Sequence, residues 1–240
     1  MKKLLLIYSL LISVLGSAQQ INKPFSFPIK PGTKEWSTLK TEKERFNAMQ
    51  IPEDTLKRMT TSALVISCLN YPAFGFITAY DNYQGGLVYL ATKFNGLDEL
   101  AKRNDVEKCL IPIYKLTGLK GIENSSMSID NKFWTIKFSW IEMLMAQNIF
   151  IESLSSEGKK ELITLALEKY NLKRSNSDYS MYSLVTTTFL AARAIHSLNI
   201  PTFESEFFRN QSLSNFIKTS KECNKLIIDY VFEFASDYTK

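Results

Sequence analysis

Apolar residues recur at helical spacing along most of the chain, in stretches separated by short polar or proline-containing breaks. Thr41 and Glu44 have the spacing of a capping box and predict the start of a first helix. The apolar line through Leu64 predicts a later helix that Pro72 ends, because proline cannot continue a helical hydrogen-bond ladder. Further short helical segments are predicted as far as Leu116.

The second half of the chain carries longer helical patterns. They cover residues 129–153, 156–170, 178–198 and about 212–238. The last pattern is amphipathic and predicts one continuous helix, with apolar residues on one face and charged residues on the other. Trp134 and Trp140 are predicted to anchor the core of this half.

No alternation typical of a β-strand extends over a convincing length. Helices joined by short polar loops indicate antiparallel neighbours. We therefore predict an all-α fold, a helical bundle or a short stack of antiparallel helical hairpins. A solenoid-like stack remains open, although no residue pattern repeats at a fixed period.

Residues 1–18 have the organisation of a secretory signal peptide. Lys2 and Lys3 give the positive start, residues 4–15 are apolar, and Gly16-Ser17-Ala18 is a small-residue cleavage site. We expect the protein to be exported, to the periplasm or the extracellular space. An uncleaved membrane anchor is the alternative interpretation, although the apolar run is short for a membrane span.

The remaining chain divides into an extended strap and two helical halves. Three prolines punctuate residues 19–40, which we expect to lie over the folded body, with disorder as the alternative. Residues 41–116 form the half with short helices, and residues 129–240 form the half with long helices. We expect the two halves to make one continuous helical domain, joined by a linker over 117–128 that contains Gly118 and Gly121.

Composition and charge exclude several classes of protein. The chain has 240 residues, of which 45% are hydrophobic, so it can bury a sizeable core. The formal charge of +5 falls to +3 when Lys2 and Lys3 are removed, and it is spread along the chain. This predicts no nucleic-acid partner. Lys137 and Glu142 interrupt the apolar pattern around residues 133–151, so no transmembrane span is predicted after signal cleavage.

The residue types needed for common chemistries are scarce. Cys68, Cys109 and Cys223 are too few and too scattered for a disulfide scaffold, and whether one bridge forms among them stays open. We predict no metal site, no cofactor and no catalytic residue, because no zinc-ligand spacing, no GxGxxG and no P-loop pattern is present. The single histidine, His196, is expected to be a half-buried residue near a helix end. Arg193 is expected to pair with a carboxylate, with an acidic ligand as the alternative.

Several short motifs together resemble those of a known protein family. They are FPIKPGT at residues 27–33 with Glu35-Trp36, QIP at 50–52, CLNYP at 68–72 and FNG at 94–96. They resemble a family of exported bacterial helical proteins that has no assigned activity. The resemblance covers about the first half of the mature chain. It implies export and an all-helical fold, and it implies no catalytic residue.

Two groups of residues at predicted helix ends are candidates for binding a partner, because loops carry function more often than helix interiors. They are Asn70 and Tyr71, and the run Tyr80, Asp81, Asn82 and Tyr83. The alternative is that the polar residues cap helices and the tyrosines close the core.

The leading hypothesis for function is an exported, non-enzymatic helical protein that binds an envelope protein or a surface component. The alternative is a cell-envelope hydrolase with a site built from carboxylates. A shallow aromatic groove would favour binding, and a deep pocket with converging carboxylates would favour the enzyme.

Overall fold

The computed structural model describes residues 20–116 and 134–240, with side chains in the second range from residue 136 onward. The predicted signal peptide and the predicted linker over 117–128 lie outside these residues. The helices of the first half are α1 Lys34–Thr38, α2 Glu42–Ala48, α3 Glu53–Arg58, α4 Thr61–Leu69, a 3-10 helix Phe74–Ala79, α5 Tyr83–Ala91, α6 Asn95–Leu100 and α7 Val106–Leu116. Those of the second half are α8 Trp134–Met145, α9 Asn148–Ile151, α10 Ser156–Arg174, α11 Met181–His196, α12 Pro201–Arg209, α13 Gln211–Thr219 and α14 Lys225–Thr239.

The predicted all-α class is confirmed. Among the described residues there are fourteen α-helices, one 3-10 helix and no strand beyond a single isolated bridge between Ile21 and Met59. The predicted capping box is present at α2, where the Thr41 side chain accepts from the Glu44 backbone N–H and the Glu44 carboxylate accepts from Thr41. No helix in the described ranges has the length and apolar character needed to cross a membrane.

The extended segment before α1 lies against the first half. The Ile21 backbone exchanges hydrogen bonds with Arg58 and Thr60, and the Phe25 N–H donates to the Ser67 hydroxyl at 2.8 Å. Phe27 is buried and meets the Tyr71 ring edge-on at a centroid distance of 5.5 Å. These contacts fix the segment on the surface of α4, whose residues are almost all buried.

Helix α11 is the central element of the second half. It packs against α8, α10 and α14, and ten of its residues are buried. Three of these are Ala191, Ala192 and Ala194, whose small side chains let neighbouring helices approach closely. Trp140 of α8 is 8% exposed and stacks on Phe74 of the first half at 4.5 Å, which agrees with its predicted role in the core. The side chain of Trp134 lies outside the described part of the chain.

The prediction of one continuous helix over residues 212–238 is wrong. The structure has α13 and α14 with a break over residues 220–224. Ser220 and Glu222 adopt left-handed backbone conformations, with φ of 61° and 63°, which end α13 and turn the chain. Asn224 then caps α14 by accepting from the Ile227 N–H. Both helices keep an amphipathic pattern, so periodicity alone did not reveal the break.

Candidate functional site

A cavity of about 1000 Å³ opens where the two halves meet. Its wall is built from the end of the 3-10 helix, the loop before α5, one face of α8, the start of α11 and the break between α13 and α14. Four aromatic side chains contribute to it: Tyr80, Tyr83, Trp140 and Tyr182. We call this site the aromatic cavity. Tyr182 is 71% exposed, so the rim presents an aromatic ring to solvent.

Most other side chains of the wall are polar. Hydroxyl and amide groups come from Thr78, Asn82, Ser139, Ser180, Ser183, Thr186 and Ser220. Carboxylates come from three exposed residues, Asp81, Asp178 and Glu222. Lys221 supplies one positive charge, and its Nζ lies 3.9 Å from Asp81. In the described ranges, no three His, Cys, Asp or Glu residues lie close enough together to hold a metal ion.

Close packing of the 3-10 helix against α5 positions one wall of the aromatic cavity. Gly86 in α5 is the contact point, because a Cβ there would lie 2.5 Å from the carbonyl oxygen of Ile77. The Asn82 side chain caps α5 by accepting from the Gly85 N–H at 2.6 Å. The cap and the glycine contact together hold the loop that carries Tyr80 and Tyr83.

A buried ion pair lies behind the α11 wall. Lys173 Nζ is 2.7 Å from Glu142 Oε2, and both side chains are completely buried. Lys173 uses its three N–H donors on Glu142, the Ser183 carbonyl and the Thr187 hydroxyl. Glu142 accepts further hydrogen bonds from hydroxyl groups of Tyr114, Thr186 and Thr187.

This network joins α7, α8, α10 and α11 through fully satisfied polar groups. Burial lowers the pKa of Lys173, and the Glu142 carboxylate opposes that shift. Burial also raises the pKa of Tyr114, and the charge of Glu142 raises it further, so the phenol stays protonated and donates. Because Thr186 and the adjoining Ser183 also line the aromatic cavity, the network fixes the position of that wall.

Two polar atoms of the cavity residues have no hydrogen-bond partner within the described chain. They are Trp140 Nε1 and Ser183 Oγ, and their residues are 8% and 4% exposed. Buried polar groups are nearly always hydrogen-bonded in native proteins, since an unmade bond costs free energy. These two atoms therefore distinguish this wall from the satisfied network directly behind it.

Two other groups at the aromatic cavity remain neutral at ordinary pH. Burial raises the pKa of Tyr83 to about 12, with a further contribution from Tyr182. Burial also raises the pKa of the Cys223 thiol to about 12. A thiol with so high a pKa carries almost no thiolate and is a poor nucleophile. All three cysteines are free, and Cys68 is fully buried.

A second cleft, of about 400 Å³, contains Arg193 and His196. In the described ranges the Arg193 guanidinium donates to the side-chain oxygens of Asn148 and Gln84 rather than to a carboxylate. Burial lowers the pKa of Arg193, and the Glu152 carboxylate in the same cleft opposes that shift, so the predicted pairing is electrostatic without a direct hydrogen bond. His196 Nδ1 lies 2.7 Å from Glu204 Oε1, and the ring stacks on Phe207 at 4.3 Å. His196 is thus the half-buried residue expected near a helix end, remote from the aromatic cavity.

The structure brings together four of the six residues predicted to bind a partner. Tyr80, Asp81, Asn82 and Tyr83 all line the aromatic cavity. Asn70 lies elsewhere and accepts a hydrogen bond from Lys137 Nζ at 2.7 Å. The Tyr71 side chain is also elsewhere: it is 1% exposed and stacks on Phe94 at 3.8 Å.

The contributions of α8 and α11 to this site are not apparent from the sequence. Tyr182 and Ser183 fall in a helical pattern that gives no sign of a cavity. Glu142 did carry a signal, since a carboxylate in an otherwise apolar helical stretch requires a buried partner. That signal indicated a polar network in the core without identifying Lys173 as the partner.

Comparison of this chain with protein-family models, curated proteins and solved structures finds no match in any of the three. The description of this protein therefore rests on its own fold and site. It is an all-α protein with a polar, aromatic cavity between two helical halves. Its function has to be inferred from the chemistry of that cavity.

Proposed function

We propose that this chain is an exported, non-enzymatic binding protein that takes part of an envelope component into the aromatic cavity. The single observation that carries the proposal is the cavity itself, with four aromatic side chains around a volume of about 1000 Å³. Ligand sites in proteins are typically concave, with aromatic walls and a few placed polar groups. The signal-like residues 1–18 support the location.

The chemistry around the aromatic cavity favours binding over catalysis. A serine or threonine nucleophile needs an adjacent base, and the only histidine of the chain, His196, lines the other cleft. The raised pKa of Cys223 argues against a thiolate nucleophile. Glu142 and Lys173 are fully buried and fully hydrogen-bonded to protein groups, so neither is available to a substrate.

One observation favours a second candidate, a hydrolase acting on the cell envelope. Asp81, Asp178 and Glu222 all line the same cavity, and a pair of carboxylates suffices for glycoside hydrolysis. If this candidate is right, incubation of the protein with purified envelope material releases soluble fragments. An Asp178→Asn variant would then bind that material and release nothing.

The binding proposal is tested with Tyr182→Ala. Tyr182 is 71% exposed, so its removal should leave the melting temperature almost unchanged while it deletes part of the rim. The measurement is retention of the folded protein on isolated envelope material, paired with thermal melting. Phe208→Ala is the matched control, because Phe208 is an aromatic residue that is 80% exposed and lies on α12, outside the cavity wall.

We expect Tyr182→Ala to reduce retention at least fivefold and Phe208→Ala to leave it unchanged, on the basis that a well-placed aromatic anchor contributes about 1–2 kcal/mol to binding. Equal retention of all three proteins would contradict a role for the aromatic cavity. Loss of retention in both variants would mean that exposed aromatic surface in general, rather than the cavity, is responsible.

A further inference from the structure

We propose that the ligand of the aromatic cavity is a saccharide, held by aromatic stacking and by polar atoms that include Ser183 Oγ and Trp140 Nε1. This inference rests on the proposed binding function and names its ligand class. A saccharide ring has an apolar C–H face and a periphery of hydroxyl groups. The cavity offers the matching surfaces, since aromatic rings and hydroxyl, amide and carboxylate groups all contribute to its wall.

The aromatic component of the wall is suited to a ring-shaped ligand. Trp140 is fixed by stacking on Phe74 at 4.5 Å, and Tyr83 meets Tyr182 edge-on at 6.3 Å. Rigid aromatic side chains provide contact area at little cost in conformational entropy, and their polar tips can still form hydrogen bonds. The phenol of Tyr83 is protonated over the whole physiological range, because burial raises its pKa to about 12.

The polar component of the wall favours a saccharide over a lipid chain or a small anion. An apolar ligand such as a lipid chain would leave the Ser183 hydroxyl and the Trp140 indole N–H without partners. A small anion would meet Asp81, Asp178 and Glu222, which outnumber the single positive charge of Lys221. A ligand rich in hydroxyl groups satisfies all of these wall groups, since each hydroxyl both donates and accepts.

The two unpartnered atoms give the proposal a specific residue to test. Ser183 Oγ can donate or accept, and Trp140 Nε1 can only donate. Within the described chain neither atom has a hydrogen-bond partner, and a ligand hydroxyl that reaches either atom would supply one. A saccharide hydroxyl can serve either atom.

The experiment compares wild-type protein with Ser183→Ala on an immobilised panel of oligosaccharides that covers neutral hexoses, N-acetylhexosamines and uronic acids. The best retained oligosaccharide is then titrated calorimetrically into both proteins. We expect Ser183→Ala to bind about three- to tenfold more weakly, the value of one neutral hydrogen bond. Its unfolding midpoint should be unchanged or higher, because an unsatisfied hydroxyl has been removed from a helix.

Ser67→Ala is the matched control. Ser67 is also buried, but its hydroxyl accepts from the Phe25 N–H and donates to the Ala63 carbonyl, away from the cavity. This variant should lower the unfolding midpoint, since it leaves the Phe25 N–H without its partner, and should leave oligosaccharide affinity unchanged. Ser183→Ala should therefore lower oligosaccharide affinity without lowering the unfolding midpoint. Ser67→Ala should lower the unfolding midpoint without lowering oligosaccharide affinity.

The possible outcomes separate failure of the saccharide inference from failure of the binding function. If no oligosaccharide is retained while Tyr182 still governs retention on envelope material, the saccharide inference is overturned and the binding function stands. If no oligosaccharide is retained and Tyr182→Ala does not reduce retention on envelope material, both the saccharide inference and the binding function are overturned. If an oligosaccharide binds and Ser183→Ala binds it with wild-type affinity, the assignment of Ser183 to the ligand is overturned.

Discussion

Glu142 and Lys173 illustrate how single residues determine this core. Two charges removed from water cost several kcal/mol each, and only a complete set of partners offsets that cost. Here every donor of Lys173 has an acceptor, and Glu142 receives hydroxyl donors on both oxygens. The Lys173 ammonium also lies 4.0 Å from the centroid of the Phe138 ring. The pair holds the α11 wall in place because hydrogen bonds fix both the Glu142 and the Lys173 side chain.

The first prediction concerns that pair. Lys173→Met should lower the free energy of unfolding by about 3–5 kcal/mol, because it leaves the Glu142 carboxylate buried without its counter-ion. The double variant Glu142→Leu/Lys173→Met should lose clearly less than the sum of the two single variants. Urea denaturation of the four proteins measures this coupling. Additive losses would show that the two side chains do not stabilise each other.

At the residue scale, some residues of the aromatic cavity can be identified from the sequence and others cannot. The run from Tyr80 to Tyr83 could be identified because it combines aromatic and capping residues at a helix end. Tyr182 and Ser183 could not, because helical periodicity reports which face is buried and says nothing of which distant residues complete a cavity. Likewise, an unpartnered hydroxyl on Ser183 is a property of the folded neighbourhood, and no local pattern encodes it.

At the scale of elements, the aromatic cavity depends on helix ends and breaks. The 3-10 helix, the start of α5 and the start of α11 all contribute to its wall, together with the break over residues 220–224. Ser220 takes part directly, since its hydroxyl accepts from the Gln84 N–H at 3.2 Å. This contact between the break and α5 explains why the chain tolerates a left-handed serine there, which costs about 1 kcal/mol or more.

The second prediction concerns the contact between α5 and the 3-10 helix. Gly86→Ala should destabilise the protein by about 1–3 kcal/mol, because the new Cβ would overlap backbone atoms of Ile77. It should also weaken retention on envelope material, since the cavity wall moves with the 3-10 helix. Thermal melting and the retention measurement are both needed.

Gly75→Ala is the control for this prediction. Gly75 belongs to the same 3-10 helix, and a Cβ there meets nothing within 4 Å. Its melting temperature and its retention should therefore match the wild type. A Gly86→Ala protein that also behaved as wild type would show that the two elements can separate without consequence.

Helix boundaries that depend on local interactions were predictable, and a boundary that depends on tertiary contacts was not. Thr41 and Glu44 form the predicted capping box because the interaction is local and needs no tertiary contact. The break between α13 and α14 was missed because Ser220 and Glu222 are not typical helix breakers. The Ser220 hydroxyl accepts from the Gln84 N–H of α5, a contact between residues far apart in the sequence that no local window can reveal.

At the scale of the whole molecule, both halves contribute buried residues to one hydrophobic core cluster. Trp140 on Phe74 and the Lys137 bond to Asn70 are two of the contacts that cross between them. The all-α class was predictable because a long segment with helical periodicity forms a helix in most tertiary environments. The arrangement of the helices was not, since many antiparallel packings share the same pattern of apolar faces.

The third prediction concerns the location of the protein. Material recovered from the producing cell should lack residues 1–18 and begin at Gln19, because residues 16–18 have the form of a cleavage site. Intact-mass spectrometry of the envelope or secreted fraction measures this directly. A full-length mass, or protein confined to the cytoplasm, would refute export.

The position of His196 has a consequence for how the protein responds to its surroundings. Histidine is the side chain whose ordinary pKa falls between pH 5 and 8, and the only one in this chain is paired with Glu204 in the second cleft. The aromatic cavity therefore lacks the group that most often makes binding sites sensitive to mild acid. The proposed export would place the protein in a medium that the cell does not buffer, and this distribution of residues would let the cavity keep the same hydrogen-bonding surface under mild acid.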